Sequence, residues 1–225
     1  MDTSATPQDG VRSGALPVRV FIVSDHELVR QGLRDLLEHG GFQVVGEGAS
    51  AAETYRLIPD LDPDIAVLDE RLPDSTGIEV CRHLRSTAPS VRCLILTGWD
   101  EQHGVRAAVL AGASGYAMKR VGGIGDFLND VRAIAAGRPL LEPEIRERVA
   151  ESLSATAGVH WLEAMTFEER NVFALMTRGM TNRQIELHMT VSQETVVRCV
   201  SSVLQKLGFS RRDKLAPPAA TGQSV

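Results

Sequence analysis

Between Val18 and Gly137, short apolar runs alternate with stretches in which apolar residues recur every three or four positions. The runs VRVFIVS, FQVVGE, DIAVLD, CLILTG and GYAMK are bounded by polar or turn-forming residues, and each is followed by a helical pattern. The first helix is expected from His26 and the second near Ser50. An apolar run without alternation is what a strand covered on both faces requires. Five of them separated by helices predict a doubly wound parallel α/β sheet. In that architecture the functional crevice lies at the carboxyl ends of the strands, which is where Ser24, Asp25, Asp69, Thr97 and Lys119 fall.

Beyond Gly137 the strand runs stop. The stretch GRPLLEPEIRERVAESLSATAGVHW carries one helical pattern, from about Glu144 to Leu153, between turn-forming residues, and reads as a linker over residues 138–162. Three capped helices follow. Thr166 with Glu169 and Thr181 with Gln184 have the spacing of capping boxes, for helices ending at Gly179 and near Met189, and Ser192 caps a third that stops at Gly208. Two helices joined by a tight turn behind a third outline an all-α helix-turn-helix domain over residues 163–216. Residues 1–17 and 217–225 offer too little apolar surface to be held by a core and are expected to be disordered.

A chain of 225 residues with 43% apolar content can fill two cores of this kind. No run of about 18 apolar residues occurs, and the polar N-terminus lacks a basic start or an apolar signal core, so a cytoplasmic protein with no membrane partner is expected. Cys81, Cys93 and Cys199 have neither CxxC spacing nor a histidine partner and read as reduced, mostly buried small hydrophobes. A net charge of −5 argues against nucleic acid for the chain as a whole, but the charge is unevenly spread. Residues 163–225 carry eight Lys and Arg against six acids, so that segment is +2 and the remainder −7. An acidic regulatory half joined to a mildly basic binding half fits this division.

The strand ends supply the candidate chemistry. Asp69 closes an apolar strand beside the turn RLPDSTG, where a carboxylate can accept a phosphoryl group if a divalent cation neutralises the charge. Asp25 is placed to ligate that cation, and the Thr97 hydroxyl and Lys119 ammonium suit the oxygens of an acyl phosphate. Taken singly, each has a plainer role as a turn residue, a strand former or a solvated charge. Their joint position on one sheet edge carries the reading. A strand-end Asp is also the nucleophile of phosphatases of the haloacid-dehalogenase type, but that site needs a second acid two residues on, where this chain has Arg71. His26, His39, His83, His103, His160 and His188 lack catalytic or metal-ligand spacing and are assigned surface or capping roles. The chain is therefore not expected to be an enzyme.

The stretches VFIVSDHELVRQGL, PDIAVLDERLPDSTGIEVC and LILTG with AGASGYAMK resemble the receiver domains of the NarL/FixJ family of response regulators. MTNRQIELHMTVSQETVVRCVSSVLQKLG resembles the LuxR-type helix-turn-helix of the same family, and the resemblance spans about Val18 to Leu215. It implies a flavodoxin-like receiver over residues 18–137 of a two-component, DNA-binding transcriptional regulator. By the same likeness Asp69 is the phosphoacceptor, and Asp25 and Asp69 with the backbone carbonyl of Arg71 hold Mg²⁺. Thr97 and Lys119 bind the phosphoryl group, and Tyr116 changes rotamer with Thr97. The implied partners are promoter DNA, a sensor histidine kinase, RNA polymerase and a second copy of the chain in the active state. One position departs from the family, which places two adjacent acids where this chain has Ser24 and Asp25. Losing a carboxylate weakens a hard-cation site, although Glu70 and Asp100 are near enough in sequence to contribute. Two readings stay open: phosphorylation through a weakened Mg²⁺ site, and a receiver that acts without phosphorylation.

In the last capped helix, Val196, Cys199, Val200, Val203, Leu204 and Leu207 form the apolar stripe, and Gln193, Glu194, Val197, Arg198, Ser201 and Gln205 lie opposite. As a recognition helix it would turn that face, with Ser192 at its start, to the major groove, with Arg198 the best candidate for a base or phosphate contact. Thr181, Asn182 and Arg183 are candidates for phosphate contacts. The family commonly has Lys at the position of Val197, and a Glu at 194 would repel phosphate. An altered sequence preference is expected, with a protein-interaction module that does not bind DNA as the alternative. After Gly208, SRRDKLA reaches Pro217 and Pro218 within two turns, so the family's final dimerisation helix is expected to be stunted, leaving dimer contacts to the linker helix or receiver surfaces.

Overall fold

A computed structural model describes residues 16–98, 101–119, 124–155 and 160–209. Its first half alternates β1 (Arg19–Val23), α1 (Glu27–His39), β2 (Gln43–Gly48), α2 (Ala51–Leu61), β3 (Ile65–Asp69), α3 (Gly77–Thr87), β4 (Arg92–Thr97), α4 (Glu101–Ala111), β5 (Gly115–Met118) and α5 (Ile124–Ala135). All neighbouring strands pair in parallel, in the order β2-β1-β3-β4-β5. This is the doubly wound α/β fold that the apolar runs predict. The order reverses between β1 and β3, so the crevice at their carboxyl ends is the place where loops can splay apart around a ligand.

Successive side chains of a strand point to opposite faces, and here both faces are covered. Val20, Ile22, Ile65, Val67, Leu94 and Leu96 pack with Leu37 of α1 and with Val131 and Ile134 of α5. Phe21, Val23, Ala66, Leu68, Cys93 and Ile95 pack on the other side with α2, α3 and α4. Two glycines let helices press onto the strand ends. A Cβ at Gly77, the first residue of α3, would run into the Asp69 carbonyl oxygen, and the Gly77 N–H donates to the Glu70 carbonyl at 2.8 Å. A Cβ at Gly104 in α4 would meet Tyr116 Cδ2 at 2.6 Å and Thr97 Cγ2 at 3.0 Å.

The second half contains α6 (Pro143–Ala155), α7 (His160–Glu163), α8 (Phe167–Thr177), α9 (Asn182–Met189) and α10 (Gln193–Lys206). Both capping boxes form, Thr166 with Glu169 and Thr181 with Gln184, and Ser192 Oγ accepts from the Thr195 N–H. Val196, Cys199, Val200, Val203 and Leu204 are the buried stripe of α10. The linker differs from its sequence reading in two ways. A short second helix, α7, falls in a stretch read as turn. The linker is also not a tether: α6 packs between α4 and α8, with Leu141 and Leu153 buried. A single apolar cluster thereby runs from β3 through α4 and α6 to Val172, Phe173, Met176 and Val203 of the helical half.

All three cysteines are free and buried. Among the described residues, no helix is long and apolar enough to cross a membrane. The expectations of disorder at both ends and of a stunted final helix fall on residues outside those described, apart from Leu16 and Pro17.

Candidate functional site

Asp69 ends β3 with 1% of its surface exposed, so its carboxylate needs partners to be tolerated there. Two converge on Oδ2: Ser24 Oγ at 2.8 Å, from the residue after β1, and Lys119 Nζ at 2.7 Å, from the residue after β5. Oδ1 takes a long contact of 3.4 Å from the Arg71 N–H. Three strand ends thus meet at one carboxylate, and Lys119 supplies the compensating charge. Ser24, in the position where the resemblance implies a second acid, is itself fully buried and spends its hydroxyl on Asp69.

Asp25, His26 and Asp69 offer ligand atoms that all lie within 4.8 Å of one another. Two carboxylates suit a hard divalent cation, with less charge than a three-acid pocket would give. His26 is the N-terminal flanking residue of α1, but its ring makes no capping hydrogen bond; Nδ1 lies 3.0 Å from Asp25 Oδ1. Of the surface or capping roles expected for it, the exposed ring takes the surface one. Glu70 does not join this cluster, because its carboxylate is engaged elsewhere, and Asp100 lies outside the described residues.

The Thr97 hydroxyl, expected beside the phosphoryl group, donates to Glu70 Oε2 at 2.6 Å. Glu70 Oε1 in turn lies 2.7 Å from His103 Nε2 on α4, and the His103 ring sits 4.5 Å from that of Phe209, beyond α10. His103 is thus neither a surface nor a capping residue. Tyr116 is half-buried and donates to Glu101 Oε1 at 3.3 Å; burial, reinforced by the charge of Glu101, pushes its hydroxyl above the usual tyrosine range.

The candidate DNA-binding residues are divided. Thr181 and Ser192 cap α9 and α10, and Arg183 pairs with Glu186 at 2.8 Å. Asn182, Arg183, Gln193, Val197 and Ser201 line a cleft of about 470 Å³ whose opposite wall is built by Tyr55, Asp74, Glu79 and His83 of the α/β half. Ser201 Oγ donates to Glu79. Glu194 and Arg198 are exposed and do not line the cleft.

The sequence reading missed a residue that ties the two halves together. Arg82 of α3 has no exposed surface, and its guanidinium donates to Asn182 Oδ1 at 2.9 Å, the Leu110 carbonyl at 2.7 Å and the Met180 carbonyl at 2.9 Å. Arg85, one turn on, donates to the Gly179 carbonyl at 3.0 Å. Burial, reinforced by the charge of Arg85, pulls the Arg82 guanidinium down to about 9, still charged near neutral pH. One signal for it exists in the sequence: Arg82 and Arg85 follow Ile78 by four and seven residues, so they share its apolar face.

Residues 20–129 match the family model described as the response regulator receiver domain, and residues 163–217 match that of bacterial regulatory proteins of the luxR family. The chain is 43% identical over 201 residues to the DNA-binding transcriptional activator DevR/DosR of Mycobacterium tuberculosis, covering 88% of this chain and 92% of that one. It is 30% identical over 198 residues to the response regulator protein VraR of Staphylococcus aureus, covering 88% and 93%. Among solved structures, a two-component response regulator of the LuxR family from Aurantimonas sp. SI85-9A1 is similar with 38% identity and a TM-score of 0.53, over 62% of this chain and 99% of that one.

Proposed function

This chain belongs to the response regulators that join a receiver domain to a LuxR-type helical domain, and on that premise we propose that phosphorylation of Asp69 controls its binding to promoter DNA. The observation that carries the proposal is the convergence of Ser24 and Lys119 on one oxygen of Asp69 while, among the described residues, the other takes a long contact from the Arg71 N–H. A carboxylate oxygen attacks the phosphorus of a donor, the bond to the leaving group breaks, and an acyl phosphate forms on Asp69. Lys119 balances the charge that accumulates. Asp25, Asp69 and the Arg71 carbonyl would hold Mg²⁺, with His26 beside them; the cation, when bound, neutralises phosphoryl oxygens. The donor is a sensor histidine kinase, and the output is DNA binding by a cytoplasmic protein that acts on RNA polymerase at a promoter, as a homodimer. The chain is a switch and not an enzyme.

The unmodified form is closed. Asn182, Arg183, Gln193, Val197 and Ser201 line the cleft opposite Asp74 and Glu79 of the receiver, so a duplex laid along them meets the receiver and its acids, even though Arg183 and Val197 keep exposed surface. Phosphorylation must therefore separate the halves before those residues meet phosphates. A second reading, a receiver that works without phosphorylation, draws support from Thr97, whose hydroxyl is held by Glu70.

Incubation with acetyl phosphate and Mg²⁺, read by intact mass, decides between them. One added phosphoryl group on wild type, absent from Asp69→Asn, supports the proposal; no addition at saturating donor and Mg²⁺ removes it. Duplex binding titrated against salt tests the output. Phosphate contacts make affinity fall steeply with salt, and a flat dependence in the phosphorylated protein would leave a protein-interaction module.

A further inference from the structure

Glu70 follows the phosphoacceptor, yet its side chain is only 5% exposed. A buried carboxylate is costly unless it is hydrogen-bonded, and this one divides its two oxygens between two elements. Oε2 accepts from Thr97 Oγ1 at the end of β4, and Oε1 meets His103 Nε2 in α4. The imidazole rests against Phe209, which is 4% exposed and belongs to the apolar cluster of the helical domain. A continuous path of bonded or touching groups therefore leads from Asp69 through Glu70 and His103 to the end of the DNA-binding half.

We propose that Glu70 is the positioning residue that couples Asp69 to the helical domain: it holds the Thr97 hydroxyl and the His103 ring while Asp69 is unmodified, and yields both when a phosphoryl group arrives. This rests on Asp69 being the phosphoacceptor. The exclusivity follows from the chemistry of the hydroxyl, which has a single proton and can donate to Glu70 or to a phosphoryl oxygen, but not to both. The phosphoryl group also places about −1.5 to −2 units of charge beside a carboxylate one residue away, so repulsion adds to the loss of the donor. Once Glu70 swings away, the His103 ring loses an acceptor that holds it, and its tilted contact with Phe209 loosens. The helical half is then held by fewer contacts.

The test uses the full chain and the variants Glu70→Ala, Glu70→Gln and His103→Ala, with folding checked by thermal melting. Small-angle scattering reads the separation of the halves, and random-sequence duplex DNA at low salt reads access to the binding face, both with and without acetyl phosphate and Mg²⁺. Glu70→Ala and His103→Ala are expected to expand without donor and to bind the duplex about fivefold tighter or more than unmodified wild type. Glu70→Gln, whose amide can accept from Thr97 and donate to His103, stays closed until donor is added; a merely space-filling role would not distinguish Gln from Ala in this way. If Glu70→Ala melts cooperatively, stays compact without donor and opens with it as wild type does, the coupling role is overturned and the phosphorylation reading stands. If wild type itself gains no phosphoryl mass, that reading fails and the coupling to Asp69 falls with it. Should Glu70→Ala not fold, His103→Ala decides, since it cuts the same path from the α4 side.

Discussion

Arg82 in α3 donates from Nε to the side-chain oxygen of Asn182 at the start of α9 over 2.9 Å, joining residues 100 positions apart. The same guanidinium reaches the Met180 carbonyl, so two of its three bonds cross between the halves. Replacing Arg82 with Met keeps the bulk and removes all three bonds. Hydrogen bonds to a charged donor contribute about 1.5–3 kcal/mol each, and relief of the buried charge offsets part of the loss. The halves are expected to undock at a cost of about 3 kcal/mol in closed-state stability. An unchanged scattering curve for Arg82→Met would show that the clamp does not hold the closed form.

Ser24→Asp places a second carboxylate beside Asp69. Affinity for Mg²⁺ is expected to rise by about tenfold or more, because a hard cation responds to the charge of its oxygen ligands. Without Mg²⁺ the variant is expected to melt earlier, having lost the Ser24 hydrogen bond to Asp69 and gained a like charge, a penalty of about 1–2 kcal/mol. Calorimetric titration checks the first effect and melting with and without Mg²⁺ the second. Equal Mg²⁺ affinity in the two proteins would place the cation away from β1.

Acid should weaken the helical half through Glu169. Burial pushes its carboxyl up, but hydrogen bonds from Lys206 and Ser202, both at 2.5 Å, and from the Thr166 N–H outweigh this and hold it at about 2. The folded value lies below the ordinary 4.5, so the stabilisation is complete above that pH and is lost as pH falls from about 4.5 towards 2. Its size is on the order of 2 kcal/mol. Lys206→Met is expected to be less stable at neutral pH and to lose part of that acid dependence. Urea unfolding at several pH values across the window provides the measurement, and parallel curves for wild type and variant would contradict the assignment.

Alanine at Gly77 and at Gly104 should differ in cost. At Gly77 the new methyl meets the Asp69 backbone, which cannot rotate away, whereas at Gly104 it meets the Tyr116 ring edge and the Thr97 methyl. Overpacking costs about 1–3 kcal/mol, so Gly104→Ala is expected near the lower end and Gly77→Ala at or above the upper end. Thermal melts of the two variants compare them directly, and equal shifts would mean that the start of α3 can move off β3.

Strands, caps and helix stops are decided by residues within a few positions of one another, and these the sequence carried. The five apolar runs became β1 to β5, the Thr166 and Thr181 boxes closed as their spacing requires, and Asp69 stands at the end of β3 beside Lys119 and the residue after β1. The aim of a polar side chain is another matter, because a hydroxyl or carboxylate bonds to whichever group the packing of distant elements brings near. Thr97 could serve several acceptors at that edge, and only the approach of α4 through Gly104 and the burial of Glu70 decided that it donates to Glu70, 27 residues away. Arg82 could have been a solvated charge on α3; the packing of α4 and the docking of α9 buried it and gave it partners 28, 98 and 100 residues distant. Part of the recognition face, legible as a polar stripe on α10, turns to the receiver for the same reason, through Gln193, Val197 and Ser201, while Glu194 and Arg198 stay exposed away from it. What sits opposite a stripe is fixed by how two domains share one apolar core, a relation between surfaces that no local pattern contains.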